Sequence, residues 1–355
     1  MAFGWKRKTQ TFRERVEKFW GWYPTVADRY ATMFDEGRAE ELLPEFNKQM
    51  DKLLPGLSWG FGPGENGGHS FTITGEGQII PQLLAEFWLS NAVEIPRWVF
   101  YGARQPVAAE RLEDMAIRLG DEAEVDVNDF VLRTSVDEEA EKIDIVVWHP
   151  AYEHLDEELH LQILFLFLDE ALGEFGTQTW IGNIEVEPVS TGGDTCSLRQ
   201  LPEVIGVVRS EQQWEKHSPL ETYSGYQLSE QTDGPRGDTV VGTTCVPHLI
   251  FEYIETGGFL EEDPLAGTGA ELVYVAIDSA HFPDGRQVDV RGELEDQIDE
   301  LLRAESSGRS LGGATGAQDS YIEFLLFDSG NGRRIIDETL KTMDLGKLSR
   351  LETFM

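Results

Sequence analysis

From Thr11 to about Glu36 the apolar residues Phe12, Val16, Phe19, Trp20, Tyr23, Val26, Tyr30 and Phe34 recur at three- and four-residue spacing. That period predicts an amphipathic helix. Pro24 predicts its division into two, because proline removes a backbone donor and clashes with the preceding turn. A second helix is predicted over Arg38 to Leu54, stopped by Pro55-Gly56. Alternation then takes over in 57–61 and His69–Thr74, around a Gly-rich segment, which predicts a β-hairpin. Ile79 to Asn91 reads as a helix, and Arg97 to Tyr101 as a strand whose unbroken apolar run implies burial on both faces.

The same logic continues down the chain. Asp129–Ser135 and Lys142–Trp148 are predicted strands joined by an acidic turn. Asp156–Phe175 reads as a helix closed by Gly176 in a left-handed cap. Its middle is apolar on nearly every side, which predicts the central core helix of its domain. Thr177–Val186 is predicted to return as a strand. Beyond it the pattern gives a helix over Leu198–Lys216 and strands over Thr222–Leu228 and Val240–Cys245, and leaves His248–Ile254 open between helix and strand. The last hundred residues alternate strand 272–277, helix Val290–Ala304, strand Tyr321–Phe327, helix Arg333–Met343 and strand Ser349–Phe354. The whole predicts an α+β protein with mixed or antiparallel sheets covered by helices. All nine tryptophans lie between Trp5 and Trp214. With the linker-like 188–194, that asymmetry predicts two domains, 1–190 and 191–355.

Composition changes this picture in one respect. There are 65 Asp and Glu against 29 Lys and Arg, a net charge of −36, while hydrophobic residues still make up 40% of the chain. That is enough to build a core, so the acid belongs on the surface. Such a surface repels phosphate backbones and anionic headgroups and offers no basic stripe, which argues against nucleic acid and membrane as partners. It suits capture of a basic protein, and it also serves solubility alone. The longest apolar run, 163–168, is far shorter than a membrane span. Met1–Lys8 is basic but has no apolar stretch behind it, so it does not read as a secretory signal. Cys196 and Cys245 are too few for a disulfide framework and lie in no metal-type spacing, which predicts a reducing, cytoplasmic setting.

Candidate chemistry is sparse. His149, His154 and His160 fall within twelve residues that also hold Glu157 and Glu158. His154, Glu157 and His160 are the candidate metal ligands, although neither a zincin motif nor a second Glu-x-x-His accompanies them. The competing reading is that the acids occupy a first helical turn, where the helix dipole favours negative charge. Asp169, Glu170 and Glu174 could pair carboxylates for acid/base work, with Glu170 and Glu174 on one helical face. Gly308–Gly316 has the glycine content of a phosphate loop but not the strand-to-helix context or the Gly-Lys-Ser/Thr ending, so it reads as a flexible connection. Neither cysteine has a nucleophile signature, and no cofactor motif is present. Trp20, Trp22, Tyr23, Trp59, Trp88 and Trp98 are expected to pack the core of the first domain.

Five segments, Phe19-Trp-Gly-Trp22, Pro55-Gly-Leu-Ser-Trp59, 98–106, 168–174 and 180–185, give residues 10–190 a resemblance to a family of uncharacterised bacterial proteins known only as a domain of unknown function. The resemblance has a looser echo in the last hundred residues. It implies a bacterial cytosolic α+β protein and carries no catalytic residue, and some members are similar to immunity or accessory proteins of bacterial conflict loci. The expectation is a non-enzymatic binding module for a basic protein. The alternative is a metal-dependent hydrolase built on His154, Glu157 and His160. A DNA mimic is disfavoured because the acids are spread along the chain.

Overall fold

A computed structural model describes residues 10–64, 67–119, 123–189, 192–215, 217–229, 232–283 and 285–354. Residues 1–8, the middle of the 188–194 linker and Lys216 lie outside the described residues. The fold is α+β. The chain forms two compact units: one comprises residues 1–71, 78–100 and 222–355, the other 72–77 and 101–221. This division does not follow the 1–190 and 191–355 order expected from tryptophan content, because the two ends of the chain belong to one unit.

In the first unit the opening pattern folds as expected. Helix α1 (Phe12–Trp22) is followed by a 3-10 turn at Tyr23–Thr25, where Pro24 interrupts the ladder, and then by α2 (Ala27–Asp35). Thr11 and Glu14 form a reciprocal capping box that satisfies the first free amides of α1. The chain continues through α3 (Leu43–Leu53), β1 (Ser58–Pro63), β2 (His69–Thr74), α4 (Ile79–Ser90) and β3 (Trp98–Tyr101), with β1, β2 and β3 forming one small sheet. Trp20, Tyr23, Trp88 and Trp98 are buried as expected, and Trp22 and Trp59 are half-buried. Trp20 stacks on Trp88 with ring centres 4.9 Å apart, and its indole donates to Trp88 O at 2.9 Å.

The second unit contains α5 (Ala109–Glu113), β4 (Ala116–Leu119), β5 (Ala123–Asp126), β6 (Val131–Asp137), β7 (Lys142–Trp148), α6 (Glu157–Leu172), α7 (Glu174–Trp180), β8 (Ile181–Val186), β9 (Cys196–Ser197) and α8 (Leu201–Gln212). Its sheet runs β8-β7-β6-β9, with β7 and β8 parallel. The long helix predicted to end at Gly176 ends at Gly173 instead. Gly173 has φ +75°, and a Cβ there would lie 2.8 Å from Pro106 Cδ, so a side chain is excluded on both counts. Residues 174–180 are consequently a separate helix, and the strand predicted from Thr177 begins only at Ile181. Helix α6 buries Ile163, Leu164, Phe167, Leu168 and Ala171 in the core of this unit.

The chain then completes the first unit with β10 (Ser224–Gln227), β11 (Thr239–Thr244), α9 (Pro247–Glu255), β12 (Glu271–Asp278), α10 (Gln287–Ala304), β13 (Gly308–Gly316), β14 (Asp319–Leu326), α11 (Ser329–Thr342) and β15 (Ser349–Thr353). The open segment 248–254 is helix. The Gly-rich 308–316, expected as a flexible connection, is instead an internal strand, mostly buried and paired on both edges. The six strands run β10-β11-β13-β14-β12-β15 with every pairing antiparallel. Val273, Val275, Ile277, Ile322, Phe324 and Leu326 turn one face into a core with α10 and α11. Period-two alternation sends Tyr274, Tyr321 and Glu323 to the other face, together with Arg350 and Glu352, which sit opposite Ala276 and Tyr274.

Candidate functional site

Of the three clustered histidines, His149 and the metal candidate His160 serve local structure. His149 is buried and caps the 3-10 turn Pro150–His154: its Nδ1 accepts from the Ala151 amide at 3.1 Å and its Nε2 lies 3.0 Å from Asp126 O. Burial holds this imidazole below its usual range, opposed by the Asp126 carbonyl and nearby acids, so it stays neutral. His160 lies flat on Tyr152, with ring centres 4.2 Å apart and planes 2° from parallel. Its Nε2 is 3.0 Å from Tyr152 O and 3.1 Å from Leu155 O, while Tyr152 Oη donates back to His160 O at 2.9 Å. His154 and Glu157 are exposed. Among the described residues no group of three or more His, Cys, Asp and Glu side chains is placed to hold a metal ion.

The three carboxylates at the end of this helix are split by the break at Gly173, so Glu170 and Glu174 do not share a helical face. Glu174 is buried and accepts from Thr74 Oγ1 at 2.6 Å, the Gly77 amide at 2.9 Å and the Arg104 amide at 3.2 Å. It therefore ties two segments of the second unit together. Asp169 is pushed up to about 6 by burial and by the negative Glu174 and Glu170, against the Thr177 hydroxyl and Arg104.

A different site lies on the other face of the six-stranded sheet, where Phe251 and Tyr253 of α9 meet Tyr226 and Tyr274. Residues 232–238, Thr-Asp-Gly-Pro-Arg-Gly-Asp, form a tight loop in which Arg236 has φ +61° and points its side chain inward. Arg236 Nη2 donates to Glu323 Oε1 at 2.5 Å, and both side chains are fully buried. The guanidinium carbon lies 4.9 Å from the Tyr321 ring centre, 5.4 Å from Tyr274 and 5.7 Å from Phe354, within cation–π range of all three. Burial pushes the Glu323 carboxyl up and Arg236 pulls it back. The guanidinium stays charged, which favours the ionised carboxylate. Among the described residues, Arg236 Nε and Nη1, Glu323 Oε2 and Tyr226 Oη have no hydrogen-bond partner. Tyr226 fits beside them because Gly242 faces it across the strands; a Cβ on Gly242 would meet the phenol at 2.6 Å.

Asp238 anchors the loop to the β13–β14 turn. It accepts from Tyr321 Oη, from the Gln318 amide at 2.7 Å and from the Asp319 amide at 3.1 Å. Burial alone would raise its pKa, but these donors outweigh it and hold the carboxyl below its usual range. Above the loop opens a pocket of about 590 Å³. Tyr253, Tyr274 and Tyr321 contribute to its wall, and Asp233, Asp238, Asp319 and Glu352 are its carboxylates. Arg350 is its exposed guanidinium and is already paired with Asp319 at 2.5 Å. The cavity is thus lined by tyrosine and carboxylate, with a buried guanidinium in its wall.

Sequence reasoning singled out none of these residues. One signal was present: Glu323 is the lone charge in the apolar run 321–327, and a charge in such a strand needs a buried partner. The partner, 87 positions earlier, could not be read from spacing. Comparison with protein-family models, with curated proteins and with solved structures finds no match.

Proposed function

We propose that this protein is a non-enzymatic binding module for a basic partner protein, and that the tyrosine-lined pocket takes a cationic side chain of that partner. The observation that carries the reading is the charge of the pocket: Asp319 already neutralises the exposed Arg350 guanidinium, and three further carboxylates, Asp233, Asp238 and Glu352, are left over. The same wall holds the chain's own Arg236 guanidinium against three aromatic rings, the chemistry that an incoming arginine requires. The rest of the surface is consistent with this. Arg29, Arg38, Arg118 and Arg334 are each engaged by neighbouring carboxylates, so the surplus of −36 is left to attract a partner. Long-range attraction of this kind speeds encounter and is screened by salt. An accessory or immunity role, in which an acidic protein neutralises a basic one, fits that behaviour.

The test is isolation of the tagged protein from its native host at low and at physiological salt, with mass spectrometry of the eluate. A stoichiometric basic protein that is lost as salt rises supports the reading. Recovery of the protein alone at both ionic strengths contradicts it.

A further inference from the structure

Helix α6 carries a second surface that its role in the core does not use. Opposite the buried Ile163, Leu164, Phe167 and Leu168, three large apolar side chains remain in solvent: Leu161 is 43% exposed, Phe165 45% and Leu166 42%. Helical geometry arranges this face as two parallel i, i+4 rows. One row reads Glu157, Leu161, Phe165, Asp169 and the other Glu158, Gln162, Leu166, Glu170. Each row therefore begins and ends with an acid and is apolar or neutral between. The acids at the two ends are 12 residues apart, which at about 1.5 Å per residue is roughly 18 Å. Among the described residues none of these four carboxylates forms an ion pair; Glu157 and Glu158 are exposed, Glu170 is half-buried, and Asp169 is half-buried beside the Thr177 hydroxyl and Arg104.

From this pattern, and resting on the reading of the protein as a binder of a basic partner, we infer that this face of α6 docks an amphipathic helix of the partner, with apolar residues at its centre and Lys or Arg about three turns apart at its ends. The chemistry is complementary at each position. Phe165, Leu161 and Leu166 supply a compact apolar centre of the kind that anchors a helix through i, i+3, i+4 contacts. The terminal acids meet cations at a rim where charge sets register and encounter rate. A second copy of this chain is a poor occupant, because its own row-end acids would face these four and each molecule carries −36.

The experiment uses the full-length protein and a fluorescent synthetic helix of Leu and Lys, with its leucines in the two central turns and lysines at both ends, followed by anisotropy in low salt. Wild type is expected to bind. Phe165→Asp and, separately, Leu161→Ser are expected to weaken it at least tenfold while far-UV circular dichroism and the unfolding midpoint are retained. Glu157→Gln with Glu158→Gln is expected to weaken it severalfold and to flatten its salt dependence. Affinities for both α6 apolar variants within twofold of wild type overturn the inference while leaving the wider binding reading standing, provided wild type binds the peptide. Dissociation of a wild-type dimer by Phe165→Asp, seen in sedimentation without peptide, also overturns it. Failure of wild type to bind the lysine helix or any basic peptide overturns the binding reading itself.

Discussion

Arg236 and Glu323 form an ion pair with no exposure of either side chain, and each keeps atoms without a hydrogen-bond partner among the described residues. The pair is therefore costly to desolvate and holds only while both members are present. Glu323→Ala, which strands the guanidinium, is expected to cost about 3–5 kcal/mol in equilibrium urea unfolding. Replacing both, Arg236→Met with Glu323→Leu, is expected to recover most of that loss. A double variant no more stable than Glu323→Ala would show that the aromatic rings around the arginine matter more than its charge partner.

The hydroxyl of Tyr321 donates to Asp238, which fixes the 232–238 loop to the β13–β14 turn. Tyr321→Phe removes a donor to a carboxylate and is expected to cost about 1–3 kcal/mol. The local signature is faster hydrogen exchange at the Gln318 and Asp319 amides, whose acceptor loses its orientation. Because the folded Asp238 pKa is depressed, its contribution is present above the ordinary carboxylate range and is lost as pH falls through the folded value. Wild type and Tyr321→Phe should therefore converge in stability under acid.

Asp169 titrates with the opposite sign. Its folded pKa is raised to about 6, above the ordinary 3.8, so the folded state keeps its proton where the unfolded chain has released it. Stability falls as pH rises between about 4 and 6, and the full penalty is present above that window. Asp169→Asn is expected to be more stable than wild type at pH 7.5 by about 1–2 kcal/mol, a figure reduced for the partial exposure of the group. The advantage should vanish below pH 4. Unfolding curves at pH 4, 6 and 7.5 decide it.

For His160 the expected role is structural. His160→Ala removes a ring stacked on Tyr152 and hydrogen-bonded to backbone oxygens, and is expected to lower stability by about 1–3 kcal/mol. Added zinc should leave the unfolding midpoint of wild type unchanged. A zinc-dependent rise that His160→Ala abolishes would restore the hydrolase reading.

How much of this was legible depends on what carried the signal. Where an unbroken apolar run or a helical period is present, as in the 272–277 strand or the 290–304 helix, the pattern alone located the element. It failed where glycine took over. Gly308–Gly316 has few side chains to show a period, and its strand character comes from partners on both edges. Gly173 and Gly176 are alike in sequence; the choice of helix end is made by Pro106, which packs where a Cβ would stand. The apolar run of α6 suggested full burial, yet only one side of it meets the core. The aromatic residues of the first domain were readable as core because bulk and hydrophobicity suffice for that. The pocket was not, since Arg236, Tyr274, Tyr321 and Glu352 come from a loop and three strands scattered over more than a hundred residues.

The central claim is that the pocket accepts a cationic side chain. Calorimetric titration of a nine-arginine peptide into the full-length protein and into Asp233→Asn with Glu352→Gln, at about 10 and 150 mM salt, tests it most directly. Over that range the screening length shortens from about 30 Å to about 8 Å. The expected result is binding by wild type that weakens at least tenfold with salt and is reduced severalfold further in the double variant. Binding identical in the two proteins, or insensitive to salt, would contradict it.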